Sequence, residues 1–135
     1  MKRLPFLLAF LLFLLTGAAA HAQRIQDASF RTVGYIKSDG TVQDASFKTI
    51  AYIKDNGTVQ NASFKTIAYL KGSTVQDASF RTVGYIRDDG TIQDASFCTI
   101  GHIRKDGTVQ DASFRTIGRT SDVPLSRTAW WFFFR

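Results

Sequence analysis

Thr41-Val-Gln-Asp-Ala-Ser-Phe-Lys-Thr-Ile-Ala-Tyr-Ile-Lys-Asp-Asn-Gly57 decides the fold, because the chain writes this segment six times with small changes. Alignment of the copies makes Gln26, Gln43, Gln60, Gln76, Gln93 and Gln110 equivalent, at steps of 17, 17, 16, 17 and 17 residues. Each copy must therefore solve the same packing problem, which is the signature of a repeat architecture. Lys48–Ile53 is rich in β-branched and aromatic residues, and Asn56-Gly57 is a strong hairpin signal. Beyond residue 22 no stretch shows helical periodicity, so the expected fold class is all-β.

The one short copy sets the register. Four connections carry a three-residue loop ending in Gly: Ser38-Asp39-Gly40, Asp55-Asn56-Gly57, Asp88-Asp89-Gly90 and Lys105-Asp106-Gly107. A type I turn followed by a left-handed Gly places Ile36 opposite Val42 and Ile53 opposite Val59. The fifth connection has only Gly72-Ser73, a two-residue loop that puts Leu70 opposite Val75. Both loops give the same aliphatic pair on the same face, whereas two-residue turns throughout would throw the short copy out of phase.

Strict alternation then assigns Thr49, Ala51 and Ile53 to one face and Ile50 and Tyr52 to the other. The first face always has a small residue at its centre: Gly34, Ala51, Ala68, Gly84, Gly101 or Gly118. Something approaches closely there, most simply the neighbouring units around a crowded axis. Apolar residues on both faces require cover on both sides. One unit is too small to be stable alone, and its neighbours must complete it. The repeat opens on Arg24-Ile25-Gln26-Asp27 and closes on Arg115–Arg119, two half-units that complete one another around five whole hairpins. The expectation is a closed, propeller-like, pseudo-symmetric ring of short hairpins, with a short β-solenoid as the alternative.

Outside the repeat, residues 1–22 read as a secretory signal. Lys2 and Arg3 precede the apolar run Leu4–Leu15, and Ala20-His21-Ala22 offers a cleavage site. The expected organisation is a signal peptide at 1–22, a repeat domain at 23–119 and an aromatic C-terminal tail at 120–135. The destination is export across the inner membrane to a periplasmic, outer-membrane-associated or extracellular location. Removing Lys2 and Arg3 takes the formal charge from +6 to +4. All eleven acids are Asp and alternate with the bases, so no basic stripe tracks phosphates and no nucleic-acid partner is expected. Cys98 is the only cysteine and stands where the other copies have Lys or Arg, so an internal disulfide is impossible.

Asp39-Gly-Thr-Val-Gln-Asp-Ala-Ser46, together with Arg31-Thr-Val-Gly-Tyr-Ile36 and its copies, resembles the repeat of the bacterial five-fold β-flower proteins. The resemblance spans about residues 24–119. It implies small exported proteins whose short β-hairpins surround a pseudo-five-fold axis, and it implies no activity, cofactor or functional residue. Phe30, Phe47, Phe64, Phe80, Phe97 and Phe114 depart from it, standing where the family resemblance implies Gly-like turn residues. WG-type repeats share the Gly-Tyr-Ile and Asp-Gly elements but have a Trp and a longer period.

No catalytic constellation emerges, and a non-catalytic protein without cofactor or metal is expected. Cys98 and His102 lie four residues apart on one strand, about 13 Å at the usual rise, too far for a dyad. The recurring Asp residues lack calcium-loop spacing and are accounted for by turn geometry. The candidate ligand or partner surface is the row Tyr35, Tyr52, Tyr69, Tyr85 and His102, whose rings could stack on sugars or peptides. The six Phe are read as core or turn plugs. Trp130, Trp131, Phe132, Phe133 and Phe134 would be an aggregation liability in water. Three readings compete for them: a plug over the end of the ring, an interface or membrane contact, and disorder. Candidate partners are an envelope protein, a glycan or a membrane surface, and the leading function is an envelope-associated binding or structural module.

Overall fold

The computed structural model describes residues 23–135, and the secretory signal expected at 1–22 lies outside them. The described chain forms twelve short strands: β1 (Arg24–Asp27), β2 (Thr32–Ile36), β3 (Thr41–Asp44), β4 (Thr49–Ile53), β5 (Thr58–Asn61), β6 (Thr66–Lys71), β7 (Thr74–Asp77), β8 (Thr82–Ile86), β9 (Thr91–Asp94), β10 (Thr99–Ile103), β11 (Thr108–Asp111) and β12 (Thr116–Thr120). Each pairs antiparallel with its sequence neighbours, and β1 pairs with β12, which closes a barrel. Closure removes both sheet edges, and with them the open solenoid.

The register follows the loop argument. Ile36 faces Val42, Ile53 faces Val59, and Leu70 faces Val75 across the short loop. The closing pair repeats the pattern, with Ile25 opposite Thr120 and Asp27 opposite Gly118. Five looped hairpins and this sixth pair make a six-unit ring. The left-handed glycines expected at the loop ends are there, at φ of 91° to 92° for Gly40, Gly57, Gly90 and Gly107.

The connection at the other end of each unit repeats the same backbone turn without glycine. Gly40 N–H donates to Lys37 O and Lys37 N–H to Thr41 O; likewise Phe47 N–H donates to Asp44 O and Asp44 N–H to Lys48 O. Phe thus fills the left-handed position, at φ of 66° to 68° in all six copies. Asp44 Oδ1 secures the turn by accepting from Ser46 N–H and Lys48 N–H, and Asn61 does the same for Ser63 and Lys65. Asp27, Asp77, Asp94 and Asp111 accept the same pair of hydrogen bonds, so this Asx-type turn is present in every copy.

A bulge corrects the simple alternation. Val42 pairs with Ala51 but Gln43 with Thr49, leaving Ile50 as the extra residue, and all six Phe-turn hairpins have this shift. A bulge re-aims the extra side chain. Ile50, assigned above to the face of Tyr52, instead packs against the core, as do Val33, Ile100 and Ile117.

The core itself is the lumen of the ring. Ile25, Ile36, Val42, Val59, Val75, Ile92 and Val109 are buried there. The segment 120–135 fills what remains, so it forms one hydrophobic core with the barrel rather than a separate body. After Pro124 a short helix, α1 (Leu125–Ala129), enters from the Gly-loop end and widens into a π-helical turn over Trp130–Phe134. Arg127 Nη1 donates to Lys37 O (3.2 Å), and Thr128 Oγ1 lies 3.3 Å from Thr120 Oγ1 in the interior. The last unit thus has Thr120 in the aliphatic slot of the other copies, opposite a hydroxyl of α1.

Candidate functional site

Two sets of aromatic residues occupy opposite sides of the barrel wall. Inside, the rings of the π-helical turn lie on the small residues of the repeat. Trp131 lies against Gly34, Phe132 against Gly118, Phe133 against Gly101 and Phe134 against Gly84; a Cβ on any of these glycines would come closer than 3.0 Å to a ring. The crowding expected at these positions is real. Neighbouring strands supply only part of it, through carbonyls such as Gln43 O beside Gly34, and the aromatic segment supplies the rest. Trp130 and Trp131 are buried, while Phe132, Phe133 and Phe134 are half-buried. The interface or membrane-contact assignment is therefore corrected for both tryptophans, which are buried in a lumen lined by Gly and Ala.

Outside, each residue of the Tyr row stacks on a partner that the sequence reading missed. Tyr35 stacks on Phe47 (ring centroids 4.7 Å, interplanar 14°), Tyr52 on Phe64 (4.9 Å), Tyr69 on Phe80 (4.5 Å) and Tyr85 on Phe97 (4.5 Å). His102 stacks on Phe114 at 4.3 Å, and the Arg119 guanidinium lies 4.1 Å over Phe30 to complete the circle. Every link joins one unit to the turn of the next. The Phe rings are neither core nor plugs, being 57–65% exposed.

A left-handed backbone at a non-glycine residue costs about 1–2 kcal/mol. An aromatic pair returns about 0.5–1.5 kcal/mol beyond the apolar area it buries, which offsets the strain while leaving more than half of each Phe in water. Glycine makes the same turn without strain at Gly40 and its equivalents. The signal was present in the sequence: Phe never varies across the copies, although its stacking partner changes from Tyr to His to Arg. Cross-strand pairing sets Gln60, Gln76 and Gln93 beside Tyr52, Tyr69 and Tyr85, and the buried Oε1 of each of these amides has no hydrogen-bond partner.

The charged groups serve the turns. Arg31 N–H, Arg81 N–H and Arg115 N–H hold the carboxyls of Asp27, Asp77 and Asp111 below the ordinary aspartate range. Thr91 and Thr108 do the same to Asp89 and Asp106 in a cleft of about 530 Å³ at the Gly-loop end. Cys98 is exposed, and its backbone N–H donates to Asp94 Oδ1. Among the described residues no three His, Cys, Asp or Glu converge as metal ligands.

A family model described as 5-fold beta-flower protein matches residues 22–135. No curated protein and no solved structure matches the chain. The match covers the whole ring and the aromatic segment inside it, although the ring here is closed by a sixth strand pair, β12 with β1. The chain belongs to the 5-fold β-flower proteins.

Proposed function

We propose that this β-flower protein is an exported, non-catalytic binding module of a bacterial envelope that recognises glycan through its outer aromatic girdle. The observation that supports this reading is the set of six Phe held in a strained left-handed backbone with their rings exposed. Flat aromatic pairs suit the apolar faces of sugar rings, and Lys71, 5.8 Å from the Tyr69 ring, adds a donor beside one pair. Each contact is weak on its own. Five stacked ring pairs, with Phe30 beneath Arg119 as the sixth position, raise the effective affinity for a repeating polymer without any new chemistry.

The residues at 1–22 support export, through their charged start, apolar run and small-residue cleavage site. Fractionation of cells expressing the full chain should recover a shortened protein outside the cytoplasm. A glycan array and polysaccharide pull-down test the binding itself. Signal should fall steeply, not in proportion, as Phe47, Phe64 and Phe80 are changed successively to Ala with the fold retained by circular dichroism. No signal on any glycan, or equal signal after the triple change, sinks the reading.

A further inference from the structure

We propose that the ring has a vacant seat, a cleft for a small aromatic molecule beside Trp130. This site is separate from the outer girdle. The inference begins from a mismatch: six units surround the lumen, and five aromatic residues of the π-helical turn fill it. Trp131, Phe132, Phe133 and Phe134 take the seats at Gly34, Gly118, Gly101 and Gly84, four consecutive positions around the ring. The remaining two, at Ala51 and Ala68, are left to Trp130. A cleft of about 520 Å³ opens there, with Ala51 and Ala68 as its floor, Trp130 and Phe134 as walls, and Ile67 and Arg135 at its rim.

One further feature marks the same sector. Ala replaces Gly only at these two seats, which is the substitution allowed where no ring of the chain presses down. Volume and lining match those of ordinary small-molecule pockets, mostly apolar with a single polar group. That group is Arg135, whose guanidinium lies 3.9 Å over the Trp131 ring. The chain itself shows what this surface accepts, because four equivalent seats each hold an aromatic ring. The occupant is therefore one aryl ring carrying a hydrogen-bond acceptor that can meet Arg135.

The only two tryptophans of the chain are Trp130 and Trp131, so their fluorescence reports on the cleft. Titration of the protein with 4-nitrophenol, an aryl quencher, should give saturable quenching with a midpoint of about 1 mM, the strength open to so few atoms. Ala68→Leu should fill the seat and weaken the midpoint by about tenfold or more, as an added side-chain group does in an apolar pocket. Ile67→Gln, at an exposed rim position that does not endanger folding, should weaken it to a smaller extent. Quenching that rises linearly without saturation, or midpoints unchanged in both folded variants, overturns the proposal.

Discussion

The ring of Phe133 occupies the space that a side chain at Gly101 would need. Gln110 O of the neighbouring strand would lie 2.8 Å from the same side chain, so ring and strand crowd it together, while Ala51 and Ala68 show that the wall alone gives way to a methyl group. Gly101→Ala should therefore lower stability by about 1–3 kcal/mol, the usual effect of overpacking. Phe133→Ala should lower it by about 2–3 kcal/mol, below the range for a wholly buried Phe because this ring is half-buried. In the double variant the two losses should add to much less than their sum, because the overlap disappears with the ring. Urea unfolding of the four proteins gives the coupling, and strict additivity would mean that the two residues do not meet.

Phe97 allows strain to be separated from stacking. Phe97→Ala removes the stack on Tyr85 and keeps the left-handed strain, whereas Phe97→Gly removes both. The Gly variant should be the more stable of the two by about 1 kcal/mol. Chemical denaturation decides between them; an Ala variant as stable as the Gly variant would contradict the left-handed backbone.

Arg119 stands in the Tyr slot of the last unit and covers Phe30 across the β12–β1 closure. Arg119→Tyr should rebuild the stack found in four other units and leave stability unchanged or raised by up to about 1 kcal/mol. Arg119→Ala should cost a similar amount, and in limited proteolysis β1 should be released before any other strand. Cleavage beginning elsewhere would show that the closure is no weaker than the rest of the ring.

Backbone and side-chain evidence differed in how far the sequence disclosed them. Loop chemistry exposed the register, because Gly72-Ser73 and the three-residue loops agree only if Leu70 and Ile53 fall on one face. The matching half-units at Ile25 and Gly118 disclosed the closure in the same way. Strict alternation failed at Ile50, since a bulge is a backbone decision that leaves no residue type behind. The identity of what crowds the small row was hidden for another reason. Gly34 and Trp131 are 97 residues apart, and period alone cannot say that a segment outside the repeat enters its lumen. The exposed Phe were misread because apolar character argued for burial, while their backbone position argued for the turn.

Acid should loosen the turns at both ends of the ring. Asp27, Asp77 and Asp111 are held below their ordinary pKa, chiefly by the backbone N–H of Arg31, Arg81 and Arg115. A carboxyl depressed in the folded state binds protons more readily when unfolded, so its contribution is complete above the unfolded value of about 3.9. That contribution is lost as pH falls through the lower folded value. The urea midpoint should be flat from pH 7 to about 5 and should drop below about pH 4. Asn61 shows that an uncharged amide makes the same two hydrogen bonds to the turn. The triple change Asp27→Asn, Asp77→Asn and Asp111→Asn should therefore keep the fold at pH 7 and shrink the acid drop, leaving only the part due to carboxyls such as Asp89 and Asp106. The three Ala counterparts should lose stability at every pH, because the acceptor itself is gone. An acid drop of undiminished size in the Asn variant would place the pH sensitivity elsewhere.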